Sequence, residues 1–427
     1  MRPRKGPSIV AAVFCIAVAF PAHPSGFSIF EQGAKASAIA GAFVATADDP
    51  SAIFYNVAGL AQQRRLSVYG GATLINFSNQ FRGDPNDDLT SGQTGVYRRH
   101  TFAPPNAYAV VPIGENLTFG VGAFSGYGLR TDWAAPWIGR FISSDADLKT
   151  ASVEPAIAWQ SRSGAVALGA GVEYRRARVT LVRNNSALNP FNQRVADAAN
   201  VYLSGDWESA WGFSAGILLK PNATWRMGAS YRADMDIDFE GTATFTQIPI
   251  DPRLDPLVRA QIPPNQGIRT SIPFPAVIAL GVATTAIPNW DIEADITHTT
   301  WSRFQTLDIE FATTPQINLH RDENWDDTLS YRLGGNRRIN ENWDVRLGAI
   351  YDENPQPTKS VGPLLPDSDR WAVTFGFGYR RGPFTFDFSD MLLHFKDRST
   401  NGQSSDNFNG TYKTDGTLIS VNFGYTF

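Results

Sequence analysis

Acid–base, nucleophilic or metal chemistry needs histidines, cysteines and clustered acids at defined spacings, and this chain offers few of them. Beyond the first 25 residues its histidines are His100, His298, His320 and His394. None stands in a Ser-His-Asp constellation or at metal-ligand spacing. The single cysteine, Cys15, lies in an apolar run near the N-terminus. The mature chain is therefore expected to have no disulfide and no thiol chemistry. The acidic runs Asp84–Asp88 (DPNDD) and Asp322–Asp327 (DENWDD) lack calcium-loop spacing and read as solvated loop charge. No catalytic residue, cofactor or metal is expected from these residues.

The elements that would carry any site have a pattern of their own. In Thr417–Phe427 (TLISVNFGYTF), Ile419, Val421, Phe423, Tyr425 and Phe427 alternate with Ser420, Asn422, Gly424 and Thr426. A strand sends successive side chains to opposite faces, so this one has an aromatic face and a small or polar face. A closing strand of an outer-membrane barrel ends this way, apolar toward lipid and polar toward the lumen. Similar alternation recurs from Leu66 onward, as in Trp211–Leu219, Trp225–Tyr231, Trp290–Ile296, Trp343–Ala349 and Trp371–Tyr379. Roughly fourteen such segments can be drawn, the even number bacterial barrels need. Short turns, such as Lys220–Ala223 and Arg381–Pro383, alternate with long polar stretches. The long ones are Arg130–Lys149, Arg183–Asp206, Thr246–Arg269, Asn354–Asp369 and Lys396–Asp415.

Composition agrees. The chain of 427 residues is 43% hydrophobic and 18% charged, with no apolar stretch long enough for a spanning helix. Only helices and closed barrels cross hydrocarbon with every backbone group satisfied, so a membrane protein of this composition is a barrel. Arg2, Arg4 and Lys5 followed by the apolar run Ile9–Phe20 have export-signal form, with cleavage expected after residue 19 to 25. The net charge of −4, without a basic patch, gives no reason to expect nucleic acid. The expected organisation is a signal peptide over 1–25, an N-terminal segment of loops and short helices over 26–65, and a barrel over 66–427. An open diffusion porin for polar solutes is the rival reading, and a barrel enzyme a more distant one.

The stretch Gly26–Ala61 resembles the start of the FadL family of outer-membrane long-chain fatty acid transporters. The resemblance rests on Gly26-Phe27, Glu31-Gln32, the Gly/Ala-rich Ala34–Phe43, Ala47-Asp48-Asp49-Pro50-Ser51 and Asn56-Val57-Ala58-Gly59-Leu60. Val57 departs from the proline usual there. Ser125–Leu129, Trp137–Thr150, Trp211–Gly241 and Thr300–Phe304 are similar to later parts of the family. The resemblance implies a 14-stranded, all-β transmembrane antiparallel barrel in the Gram-negative outer membrane, plugged by its N-terminal segment. It implies passive passage of a hydrophobic molecule, a fatty acid or a hydrocarbon, with lateral release through a kink in the third strand. The implied partners are that molecule, outer-membrane lipid and lipopolysaccharide, and the barrel assembly machinery. The implied state is a monomer.

Candidate site residues follow. By the resemblance, Phe27 lines a pocket, or else packs the plug. Asp48, Asp49, Asn56, Ala58 and Gly59 form the plug motif: Asp48 and Asp49 in a turn and candidate helix cap, and Asn56, Ala58 and Gly59 anchoring the plug to the wall. Gly120, Gly122 and Gly126 fall in the third strand, Leu117–Leu129, where glycine permits a kink, or else makes room inside a plugged barrel. Trp133, Trp137, Ile138 and Phe141 form an apolar patch on a polar connection: a capture groove, or a loop packed on itself. Arg178 and Arg183 are placed to meet a carboxylate head group, lipopolysaccharide, or only solvent.

Overall fold

The computed structural model describes residues 26–427, so the basic start and apolar run of the expected export signal lie outside the described residues. Fourteen antiparallel strands form a closed ring. They are β1 (Ser67–Gly83), β2 (Pro105–Pro112), β3 (Leu117–Phe124, then Gly128–Asp132), β4 (Asp145–Gln160) and β5 (Val166–Asn189). Next come β6 (Arg194–Gly205, then Glu208–Leu219), β7 (Trp225–Arg232, then Met235–Gln247) and β8 (Gln266–Phe274, then Val277–Thr284). β9 is Trp290–Thr299, then Thr306–Phe311, and β10 is Leu319–Asp322, then Thr328–Arg338. The ring continues with β11 (Trp343–Asp352), β12 (Arg370–Arg381), β13 (Phe384–Phe395) and β14 (Gly410–Thr426). β14 pairs back onto β1 without interruption, from Ser67↔Thr426 to Gly83↔Gly410. Closure removes the two free edges an open sheet would have, as a lipid environment demands.

Burial is inside out. Leu168, Val172, Trp211, Phe213, Leu333 and Phe423 are exposed, while Glu154, Glu173, Glu293, Arg346, Asp387 and Asn422 are buried. The period-2 alternation produces this: Trp371, Val373 and Phe375 face out and Ala372 and Thr374 face in.

Several sequence expectations need correcting. Arg183–Asp206 reads as a loop but is mostly strand, since β5 runs to Asn189 and β6 starts at Arg194. From Arg183 to Asp197 both faces of the hairpin are mostly partly exposed or polar, so no alternation marks the strands there. The connection Asn354–Asp369 reads as polar loop but is largely buried, with Val361, Ser360 and Asp367 nearly inaccessible.

The segment Gly26–Gln63 lies within the ring. A helix is expected over Ala34–Val44, yet only Ala34–Ser37 is helical, because Ala40 and Gly41 take positive φ (58° and 74°). The four N–H groups that follow are taken by carboxylates of β9. Phe43 and Val44 donate to Asp295 at 2.8 and 3.1 Å, and Ala45 and Thr46 to Glu293 at 2.6 and 2.9 Å. On other strands, Asn422 accepts from the Ala34 N–H at 2.9 Å and the Thr374 hydroxyl donates to the Ala38 carbonyl at 2.9 Å.

Candidate functional site

The site is built around an interruption in β3. Its first part, Leu117–Phe124, is paired on both sides, to β2 and to β4. Its second part, Gly128–Asp132, keeps its ladder with β4. On its other side, among the described residues, it has no ladder with β2. The segment before β2 meets its end through an isolated Tyr97–Trp133 bridge, with the Arg98 N–H donating to the Asp132 carbonyl and the Ala134 N–H to the Val96 carbonyl, and through His100 on the Asp132 carboxylate at 2.6 Å. At the break the N-terminal segment supplies the missing partner. The Ile29 N–H donates to the Gly126 carbonyl and the Gly128 N–H to the Phe27 carbonyl, both at 2.9 Å. Backbone groups that a regular wall would pair are thereby satisfied by a segment that is not part of the wall.

That pairing fixes Phe27. Its ring is 6% exposed and meets Trp301 at 4.7 Å, Phe274 at 6.0 Å and Tyr127 at 6.1 Å, all edge to face. Phe27 lines a cavity with Leu148, Val179, Leu203, Phe239 and Ile272. Its charged lining residues are Asp147, Arg321 and Glu323. Burial raises the Glu323 carboxyl above its usual value, against the opposing pull of Arg321. A second cavity also touches Phe27 and reaches the break in β3 at Gly128 and Leu129. Ile75, Phe77, Phe102, Leu393, Phe395 and Leu418 form the apolar part of its lining, beside Glu31, Arg98, His100, Arg130, Asp132, Asp367 and Arg370. Phe27, Leu129 and Leu365 line both cavities.

Two segments meet at this point. The Gly26 N–H donates to the Asp367 carboxylate at 3.0 Å, tying the N-terminal segment to the buried 354–369 connection. Burial pushes the Asp367 carboxyl up to about 6, with Arg370 pulling it down.

Beyond Ile29 the lining turns polar. Arg232 is ion-paired to Glu154 at 2.6 Å and to Glu173, and Arg175 is paired to Glu173 at 2.8 Å. These groups neighbour a third cavity lined by Ser28, Ile29, Phe30, Arg175 and Arg232.

The family model for "Outer membrane protein transport protein (OMPP1/FadL/TodX)" matches residues 15–427. The chain belongs to this family. A long-chain fatty acid transport protein of Escherichia coli O6:H1 is 26% identical over 417 residues, covering 90% of each chain. One from Salmonella typhi is 26% identical over 406 residues, covering 90% of this chain and 89% of the relative. Among solved structures, a Pseudomonas aeruginosa FadL homologue superposes with TM-score 0.82 at 20% identity, covering 94% of this chain and 100% of its own. The Pseudomonas putida toluene transporter TodX superposes with TM-score 0.72 at 17% identity, covering 92% and 98%. Family membership places the protein in the outer membrane, among transporters rather than enzymes.

The other expected site residues are spread over several places. Gly120 and Gly122 sit in the regular part of β3, where an added Cβ would meet Ile53 of the N-terminal segment at 3.1 Å. Gly126 alone of the three is at the break. Trp133 and Trp137 stack at 4.0 Å and pack with Phe81, Phe408 and Tyr412, with Ile138 beside them. Neither they nor Phe141 line the two cavities that share Phe27. Arg178 lies on a shallow outer depression with Arg130 and Lys149, and Arg183 is half-buried further along β5. Asp48 pairs with Lys35 at 2.5 Å, and Asp49 accepts from the Ser51 N–H at 2.8 Å. Asn56 donates to the Val44 and Ile217 carbonyls and accepts from the Ala58 N–H, joining the segment to β6. An added Cβ on Gly59 would collide with the Ala47 carbonyl. Sequence reasoning missed Trp325, Leu365 and the Arg321–Glu323 pair; the DENWDD run and the LL in the 354–369 connection were their only traces.

Proposed function

We propose that the protein is a passive route by which hydrophobic small molecules cross the outer membrane. The N-terminal segment acts as its plug, and the break in β3 as a sideways exit into lipid. The observation that carries this reading is the pair of cavities that share Phe27, the first mainly apolar and the second carrying an apolar strip, Ile75, Phe77, Phe102 and Leu393, that reaches the break. An alkyl chain gains about 0.8 kcal/mol per buried CH₂. The downward path meets the Arg232–Glu154–Glu173 network and the N-terminal segment, whereas the sideways path is lined by Phe77, Phe102 and Leu393. Lateral release thus spares the molecule both the charged layer and rehydration. The family assignment and the relatives named for fatty acid and toluene transport support this reading. The packing of Trp133 and Trp137 favours a structural role for that patch; Arg178 is retained as a lipopolysaccharide contact.

The test is uptake of radiolabelled 1-dodecanol by cells at matched surface expression. An added Cβ at Gly126 has only Phe54 near it, at 3.5 Å, so the barrel should tolerate Gly126→Trp. That variant should lower uptake at least fivefold. Gly267→Trp, where the nearest neighbour to an added Cβ is Ala312 at 3.7 Å, should not. Unchanged uptake by Gly126→Trp would rule out the sideways exit.

A further inference from the structure

The reading above leaves open what the head of a transported molecule meets, and the Phe27 cavity bears on that directly. Its only basic lining residue is Arg321, on the first part of β10. Each nitrogen of that guanidinium already makes a hydrogen bond. Nε donates to Glu323 at 2.7 Å, Nη1 to both oxygens of Asp406 at 2.7 and 2.6 Å, and Nη2 to the Ser360 carbonyl at 2.7 Å. Three separate segments hold the arginine: the β9–β10 hairpin, the buried 354–369 connection, and the stretch before β14.

The acids of the lining are equally committed. Glu323 is 3% exposed and also accepts from the indole N–H of Trp325 at 3.0 Å. Asp147 is paired at 2.8 Å with both Arg130 and Lys149, neither of which lines the cavity. The lining therefore sets one cation against two carboxylates. In the second cavity Arg98, Arg130 and Arg370 face Glu31, Asp132 and Asp367, and His100 is hydrogen-bonded to Asp132 at 2.6 Å. Of these, Arg98 and Arg130 contact Asp132 at 3.4 and 3.7 Å, and Arg370 is paired with Asp352 at 3.0 Å.

A carboxylate brought into the first cavity would have to displace Glu323 or Asp406 from Arg321, or lie unpaired in an apolar space whose charged groups are already paired. Burying a charge without a partner is strongly unfavourable. A hydrocarbon, alcohol or ester pays neither cost, because its transfer is governed by apolar burial. Resting on the transport reading above, we propose that this cavity selects uncharged hydrophobic molecules over anionic amphiphiles of the same length. The Glu323–Arg321–Asp406 cluster determines that choice by withholding the arginine from ligand head groups.

The experiment uses the purified processed protein in detergent, with radiolabelled 1-dodecanol and dodecanoate at pH 9 and micelle partition subtracted. The wild type should bind 1-dodecanol at least tenfold more tightly than dodecanoate. Asp406→Asn loosens the hold on Nη1 and should raise dodecanoate affinity at least tenfold while leaving 1-dodecanol within about twofold. Glu323→Gln, which loosens Nε, is the second variant, and the heat-modifiable gel shift of a folded barrel checks both. Equal binding of the two probes by the wild type overturns the selectivity and leaves the transport reading standing. Discrimination by the wild type that neither folded variant relaxes overturns the role of the cluster. Binding of neither probe overturns the transport reading, and the inference with it.

Discussion

At the scale of single residues, the buried carboxyl of Asp367 is the most accessible handle on the site. Its value of about 6 lies above the ordinary 3.8 because burial outweighs Arg370. A carboxyl raised on folding contributes stability that is complete below the unfolded value and is lost as pH rises through the folded one. The span is about 2 pH units, so roughly 3 kcal/mol is at stake between pH 4 and pH 7. Asp367→Asn removes this titration while keeping an acceptor for the Gly26 N–H. The stability of the variant relative to the wild type should therefore increase from pH 4 to pH 7, as read from thermal unfolding in detergent at each pH. A flat difference would mean that the Asp367 carboxyl does not titrate in that window. This residue was not legible in the sequence. It lies in a stretch of prolines and polar residues, and nothing local says that the stretch turns inward. Phe27 was legible, because the Gly-Phe pair stands at the head of a recognisable motif.

At the scale of elements, the strands were legible wherever one face meets lipid and the other the lumen, since alternation survives only there. Trp371–Tyr379 is such a case, and the 183–206 hairpin is the converse. The third strand was half legible. Its glycines suggested a kink, but Gly120 and Gly122 instead make room for Ile53, and only Gly126 marks the break. The anchoring of the N-terminal segment was hidden as well, because Glu293 and Asp295 read simply as the polar face of a strand. These two side chains accept four backbone N–H bonds. Leaving a buried donor unpaired costs about 1–3 kcal/mol. The double variant Glu293→Ala/Asp295→Ala should therefore loosen the segment and give intermittent ion conductance in planar bilayers, where the wild type is quiet. Silence from the folded double variant would assign the anchoring to Asn56, Asn422 and Thr374 instead.

At the scale of the whole molecule, fourteen strands and their order could be drawn from the sequence because closure follows a simple alternation of short and long connections. What fills the ring could not be drawn from periodicity and rested on the resemblance of Gly26–Ala61. Removing residues 26–63 should leave a barrel that inserts and conducts ions steadily in planar bilayers. A truncated barrel that inserts but stays closed would show that the inward-folded 354–369 connection alone seals the lumen. The seam between β1 and β14 has a bearing on time as well as on shape. It joins Ser67 to Thr426, nearly the two ends of the ring, in an unbroken run of pairs. A contact between such distant points of the chain must wait until nearly everything between them has been made, and contacts of this kind are slow to form. Until then both edges of the sheet stay bare and adhesive. The chain thus spends a vulnerable interval after synthesis in which it depends on being escorted. Once the seam shuts, unfolding must reopen the ring, and the barrel's lifetime is set by the height of that barrier.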